Sequence, residues 1–271
     1  MIMWNPRTGL LTIGGLVACA AAVAGCAATS DPSTASAAHR STDLPVGNDP
    51  VELAAAEFTT TIDNPYWPME PGTRWTYREV EGGDELKVVV VVTSATREIA
   101  NGITARVVRD TVFRGDEIIE DTFDWYAQDA AGAIWYLGEE TAEFENGKVT
   151  SRAGSFEAGV DGALPGIAVP GDPEAGMQYR QEYLAGEAED NGEVFSTHAM
   201  ADTPLGHYTD VLLTWDTISL EPDVAELKFY APGVGPVLAL GVAGGPGARE
   251  ELIAIDTVPA GTGTQPLGQP G

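Results

Sequence analysis

The segment Thr122-Phe123-Asp124-Trp125-Tyr126-Ala127-Gln128 alternates along its length. Phe123, Trp125 and Ala127 fall on one side and Thr122, Asp124 and Gln128 on the other, with Tyr126 as the exception. A period of two puts successive side chains on opposite faces of a pleated strand. The same rhythm recurs in residues 209–216, where Val211, Leu213 and Trp215 oppose Asp210, Thr214 and Asp216. It recurs again in residues 224–230, where Ala225, Leu227 and Phe229 oppose Glu226 and Lys228. Sheets patterned this way bury the apolar face and wet the other, which turns the tryptophans toward the core and the acids toward solvent. Residues 86–92 lose the alternation after Lys87 and read as a strand covered on both sides.

Around these strands, short segments separate the apolar runs: Glu81-Gly82-Gly83-Asp84, Asn101-Gly102, Arg114-Gly115-Asp116, Asn146-Gly147 and Asn191-Gly192. Such pairs take the positive φ of tight hairpins, so each reads as a turn between antiparallel neighbours. A meander of about ten short strands has to curl to bury an apolar face. The expected fold is all-β, an antiparallel meander forming a barrel, half-barrel or sandwich. One short N-terminal helix is expected as well. Asp49 suits its cap, Pro50 its first position, and Glu52 follows before Leu53-Ala54-Ala55-Ala56.

The chain has 271 residues, of which 44% are hydrophobic, with 41 Asp+Glu against 14 Lys+Arg and a formal net charge of −27. That is material for one sizeable core. The charge argues against nucleic acid, whose phosphates need a cationic surface, and against docking on anionic lipid headgroups. Arg7 precedes a run from Gly9 to Ala24 without an ionisable group other than Cys19, and Val23-Ala24-Gly25-Cys26 follows. This is similar to a bacterial lipobox, in which the cysteine is lipidated and becomes the new N-terminus; an uncleaved anchor helix is the alternative. The expected organisation is a signal peptide over 1–25, lipidated Cys26 with a tether to 49, one β-domain over 50–256 and an unpacked Pro/Gly tail over 257–271. The expected location is extracytoplasmic, with Cys26 holding the chain to a membrane.

Three stretches carry a resemblance. They are Asn64-Pro65-Tyr66-Trp67-Pro68 with Pro71-Gly72-Thr73-Arg74-Trp75-Thr76-Tyr77, then Asp121 to Asp129, then Tyr230-Ala231-Pro232-Gly233-Val234-Gly235. Together they resemble an uncharacterised family of exported bacterial proteins, many of them lipid-anchored. More loosely the chain is similar to envelope lipoproteins in which a curved sheet wraps a helix, some of which hold lipid in the concave face. The resemblance implies no catalytic residues.

Nucleotide loops, zinc-protease helices and serine elbows are absent from the sequence. His198 and His207 are a weak candidate metal pair, and ordinary strand histidines are the more economical reading. Two acidic neighbourhoods remain. Glu187, Glu189, Asp190 and Glu193 surround Asn191-Gly192, and oxygen ligands on a bend suit calcium, though a solvated acidic turn is the simpler account. Asp124 and Glu139 lie beside Trp125 and Trp135, a pairing of acids with rings that also builds sugar sites. The leading expectation is a lipid-anchored binding or scaffold protein whose ligand is a small molecule, glycan or lipid, with calcium as a candidate cofactor. The alternative is an envelope polysaccharide hydrolase with a carboxylate pair. A third reading takes the acidity as adaptation to salt.

Overall fold

A computed structural model describes residues 44–244, 247–259 and 261–269. The signal segment, Cys26 and most of the tether lie outside the described residues. No described helix is long and apolar enough to cross a membrane.

The domain is all-β. A short edge strand β1 (Phe58–Thr59) precedes a run of long antiparallel strands: β2 (Thr73–Glu81), β3 (Asp84–Glu98), β4 (Thr104–Arg114), β5 (Glu117–Asp129) and β6 (Ile134–Glu145). Short pieces follow as β7 (Lys148–Ser151), β8 (Phe156–Glu157), β9 (Leu164–Val169), β10 (Gln178–Arg180) and β11 (Glu182–Tyr183). The second run is β12 (Asp190–Thr203), β13 (Gly206–Ile218), β14 (Glu221–Ala231), β15 (Gly235–Ala243) and β16 (Arg249–Thr257). The hydrogen-bonded order is β10-β12-β13-β14-β15-β16-β2-β3-β4-β5-β6-β9-β11. Its first and last members are separated in sequence by Gln181 alone, so the chain itself spans the seam. Gln181 N–H donates to the Asp190 carbonyl there at 2.7 Å. The meander thus curls into a nearly closed barrel, which leaves few strand edges to satisfy.

The expected N-terminal helix is not formed at its capping signal; a single 3₁₀ turn, Ala55–Glu57, stands in its place. Arg180 explains the difference. Its backbone N–H donates to Pro45 O at 2.7 Å, and its Nη1 donates to Gly47 O at 3.0 Å and Asp49 O at 2.5 Å. Carbonyls engaged by a buried guanidinium hold this stretch against the barrel seam in a non-helical course.

The motifs behind the family resemblance meet at one end of the barrel. Trp67 is 2% exposed and packs on Tyr126 at 5.4 Å and Tyr230 at 5.9 Å between ring centroids. Gln128 Oε1 accepts from the N–H groups of Asp63 and Asn64, each at 2.9 Å, and Gly233 N–H donates to Pro65 O at 2.7 Å. A loop, β5 and the β14–β15 turn are thereby locked into one plug.

The tail is packed in its described part, which corrects the expectation of a free segment. Gly268 N–H donates to Asp121 Oδ2 at 2.7 Å, while Gln265 O and Gln269 O accept from Arg109 at 3.4 and 2.6 Å. Low hydrophobicity was the wrong test here, because the segment is held by backbone hydrogen bonds to a buried ion pair. Gly263 lies against Val91, so the tail also supplies the second cover over β3.

Candidate functional site

The barrel turns its polar face inward. Thr122, Asp124 and Tyr126 on β5 share the inner face, so Tyr126 is an exception to the apolar pattern because it belongs with the acids. Trp125 points outward beneath Arg97, whose guanidinium lies 3.9 Å from the ring centroid. Trp135 is also outward, against Phe58 at 6.1 Å, and its indole N–H donates to Asp129 at 2.9 Å. The expected orientation is therefore reversed. The tryptophans are buried on the outside by loops and long side chains, and Asp124 and Glu139 are buried inside. A partly covered exterior lets apolar side chains face out, and closure puts the other face within.

The inner acids can be followed around the barrel by register. Asp124 stands directly opposite Glu139, and Asp110, paired with Thr122, lies diagonally from Asp124. Glu182 lies on β11, separated from β6 by β9, and its carboxyl feels Asp190, Glu139 and Asp124. Farther on, Asp216 is opposite Glu226, and Lys228 Nζ joins them at 3.1 and 3.2 Å. Glu250 on β16 faces Ala239, itself opposite Lys228. Burial, reinforced by Asp124, pushes Glu139 up to about 8. Burial pushes Asp190 up to about 7 although Lys228 pulls the other way. Burial also raises Asp110, Glu182 and Glu250 well above the usual carboxylate range. A charge removed from water without a partner favours its neutral form.

A strand irregularity builds the tightest part. Register slips between Asp124/Tyr126 and β6, so Leu137 and Gly138 together oppose Trp125. Gly138 has φ 136°, and a Cβ there would sit 2.4 Å from Phe156 O. This bulge brings Tyr136 and Glu139, three residues apart, onto one face. The Tyr136 hydroxyl consequently reaches Glu139 Oε2 at 2.6 Å and Asp124 Oδ1 at 2.8 Å. A hydroxyl donates one hydrogen, so both contacts are hydrogen bonds only when one carboxyl carries a proton.

The inner face also carries buried oxygens without a hydrogen-bond partner among the described residues: Tyr126 Oη, Glu182 Oε2, Tyr179 Oη, Thr214 Oγ1, Asp216 Oδ1 and Asp110 Oδ1. Beside Trp67, Tyr77, Lys228 and Glu250 is a cavity of about 10 Å³, room for about one water.

The acidic turn is not assembled as expected. Asp190 opens β12 and faces inward, whereas Glu187 is exposed. Glu189 accepts from Gly186 N–H at 2.9 Å, and Glu193 from Gln178 at 2.8 Å. Asn191-Gly192 is no turn but part of β12, and Gly192 is needed because the Tyr179 ring would lie 2.7 Å from a Cβ there. His198 and His207 go to separate carboxylates, Asp210 at 3.4 Å and Asp202 at 2.8 Å. Among the described residues no three His, Cys, Asp or Glu side chains gather to hold a metal ion.

No family model matches the chain, and no curated protein does. Two solved structures are similar in fold. One is an exported protein from Bacteroides fragilis described as having a YmcC-like fold, with 14% identity, a TM-score of 0.44, and coverage of 70% of this chain and 98% of the other. The second is a lipoprotein from Parabacteroides distasonis, with 10% identity, a TM-score of 0.39 and the same coverage. No residue or role is carried over from either.

Proposed function

We propose that this protein is a lipid-anchored extracytoplasmic binding module, held to its membrane at Cys26, and that its ligand sits inside the barrel. The observation that carries the reading is the set of unpartnered buried oxygens on the inner face. A buried polar group without a partner costs about 1–3 kcal/mol, and a barrel needing only stability would fill its interior with apolar side chains. The lining speaks against an acyl chain, which would have to lie on carboxyl groups. Nor do Asp124 and Glu139 support the hydrolase, since the Tyr136 hydroxyl fills the gap where a glycosidic bond would sit.

Two measurements test this. Cys26→Ser should move the protein from the membrane fraction to the soluble fraction. Native mass spectrometry of the purified mature protein should show a small molecule retained in the gas phase and lost on unfolding. A ligand-free mass, with melting unchanged by amines, sugars, calcium and phosphatidylcholine micelles, would rule out the chamber.

A further inference from the structure

We infer that residues 44–49 form a strap that clasps the barrel seam through Arg180, and that release of the strap parts β11 from β9 and opens the way inside; this rests on the reading of the barrel interior as a binding chamber. Closure of the barrel depends on six residues, 178–183. Gln178, Tyr179 and Arg180 pair with Glu193, Gly192 and Asn191 of β12, whereas Glu182 and Tyr183 pair with Pro165 and Leu164 of β9. The two-pair ladder between β11 and β9 is the shortest along the strand order. Local opening starts where few backbone bonds and few buried contacts have to be given up.

Arg180 stitches the two lips of the seam together. From β10 its Nε donates across to Pro165 O on β9 at 2.8 Å, while its Nη1 donates to the strap carbonyls of Gly47 and Asp49. These acceptors are all main-chain carbonyls. Among the described residues no carboxylate bonds to this guanidinium, Asp49 acts on it through space, and Nη2 has no partner. A buried charge without a bonded anion is poorly repaid for its lost hydration, so Arg180 stays dry only while the strap covers it. The strap in turn buries little: residues 44 and 45 are half-buried and 46–50 are exposed. Arg180 holds the strap and the strap shelters Arg180, so the two are released together.

The two sides of the closing segment are fastened unequally. On the β12 side Gln181 N–H donates to Asp190 O at 2.7 Å, and Gln181 Nε2 donates to Asp216 Oδ2 at 3.0 Å. Val194 N–H donates to Met177 O and Gly176 N–H to Val194 O, each at 2.8 Å, which extends the grip of β12 beyond β10. The β9 side has its two-residue ladder, the Arg180–Pro165 bond and a close approach at Gly166, where a Cβ would sit 2.2 Å from Gln181 O. When the strap leaves, β10 therefore stays with β12 and the seam parts at β9.

The test is native-state hydrogen exchange of the mature protein over a series of low urea concentrations. Amides in 164–169 and 182–184 should exchange through a local opening, at least tenfold faster than those in β4. Arg180→Met keeps the side chain's stem and removes its donors; it should speed exchange at the seam at least tenfold further and leave β4 unchanged. Gly166→Ala should do the same with the strap's contacts intact, by forcing the lips apart, while Val149→Ala on β7 should change neither region. Seam amides that exchange only with β4 in the wild-type protein overturn the inference, and so does an Arg180→Met variant that speeds both regions equally. A retained molecule in native mass spectrometry with no local opening leaves the chamber and removes the clasp. Local opening with a ligand-free mass leaves the clasp and removes the chamber.

Discussion

Asp121 and Asp124 lie three residues apart on β5, on opposite faces and in opposite circumstances. Asp121 is fully buried outside the barrel, and each of its oxygens is used twice. Oδ1 accepts from Arg109 Nε at 2.8 Å and Thr111 at 2.9 Å; Oδ2 accepts from Arg109 Nη2 at 2.5 Å and Gly268 N–H at 2.7 Å. Asp124 is as deeply buried inside, but it faces another carboxyl across a shared hydroxyl. The difference teaches what a buried acid is for. A carboxylate with a bidentate arginine and two further donors fastens structure, here the tail to the barrel wall. Acids set close together across one hydroxyl are instead pushed toward their neutral forms by burial, and Glu139 by its neighbour Asp124 as well.

The largest expected effect breaks the outer site. Asp121→Ala leaves Arg109 buried without its anion and should cost about 3–5 kcal/mol in urea unfolding. A loss under 1 kcal/mol would show that water reaches the guanidinium. Removing residues 261–271 takes away the Gly268 donor and the carbonyls on Arg109 but leaves the ion pair. We expect roughly 2 kcal/mol of destabilisation and new protease cleavage in β4 or β5. The inner site should respond with the opposite sign: at pH 8, Glu139→Gln should be neutral or stabilising by about 1 kcal/mol, since it removes a charge the fold resists. Destabilisation comparable to Asp121→Ala would abolish the contrast between the two faces.

The smallest effect is a slope with pH. Glu139 titrates at about 8 in the folded chain, above its ordinary value of 4.5, so the folded state keeps a proton that the unfolded state has released. That contribution is fully present below about pH 4.5 and is lost as pH rises through about 8. Asp190, raised to about 7, acts in the same direction. The melting temperature should fall by a few degrees between pH 5 and 8.5, and Glu139→Gln should flatten the slope. A melting temperature that climbs over this range would contradict the burial of these acids.

Much of the fold was legible. The alternation in residues 122–128, 209–216 and 224–230 marked β5, β13 and β14, and Gly82-Gly83, Asn101-Gly102, Gly115 and Asn146-Gly147 marked hairpins that form. The Asn191-Gly192 pair misled because its glycine answers a close approach by Tyr179 rather than a turn. Of the acid–ring pairing, Asp124 and Glu139 do meet, whereas Trp125 and Trp135 face away. Glu182 was not singled out, and Asp216 was read only as part of a wet strand face. A signal was present in Tyr126, the residue that broke the pattern, and in the Glu226–Lys228 alternation read as a wet face.

By itself the amino-acid sequence determined the strands, most of their turns and which side chains share a face, since these follow from a period of two and from local φ preferences. Only the tertiary structure decided which face lies inside, because alternation is symmetric until the sheet curls and closes. It alone brought Glu139 beside Tyr136, through a bulge that local sequence does not announce. It alone carried Glu182, on a strand far along the chain, to the same place, since the field between buried acids depends on distance in space.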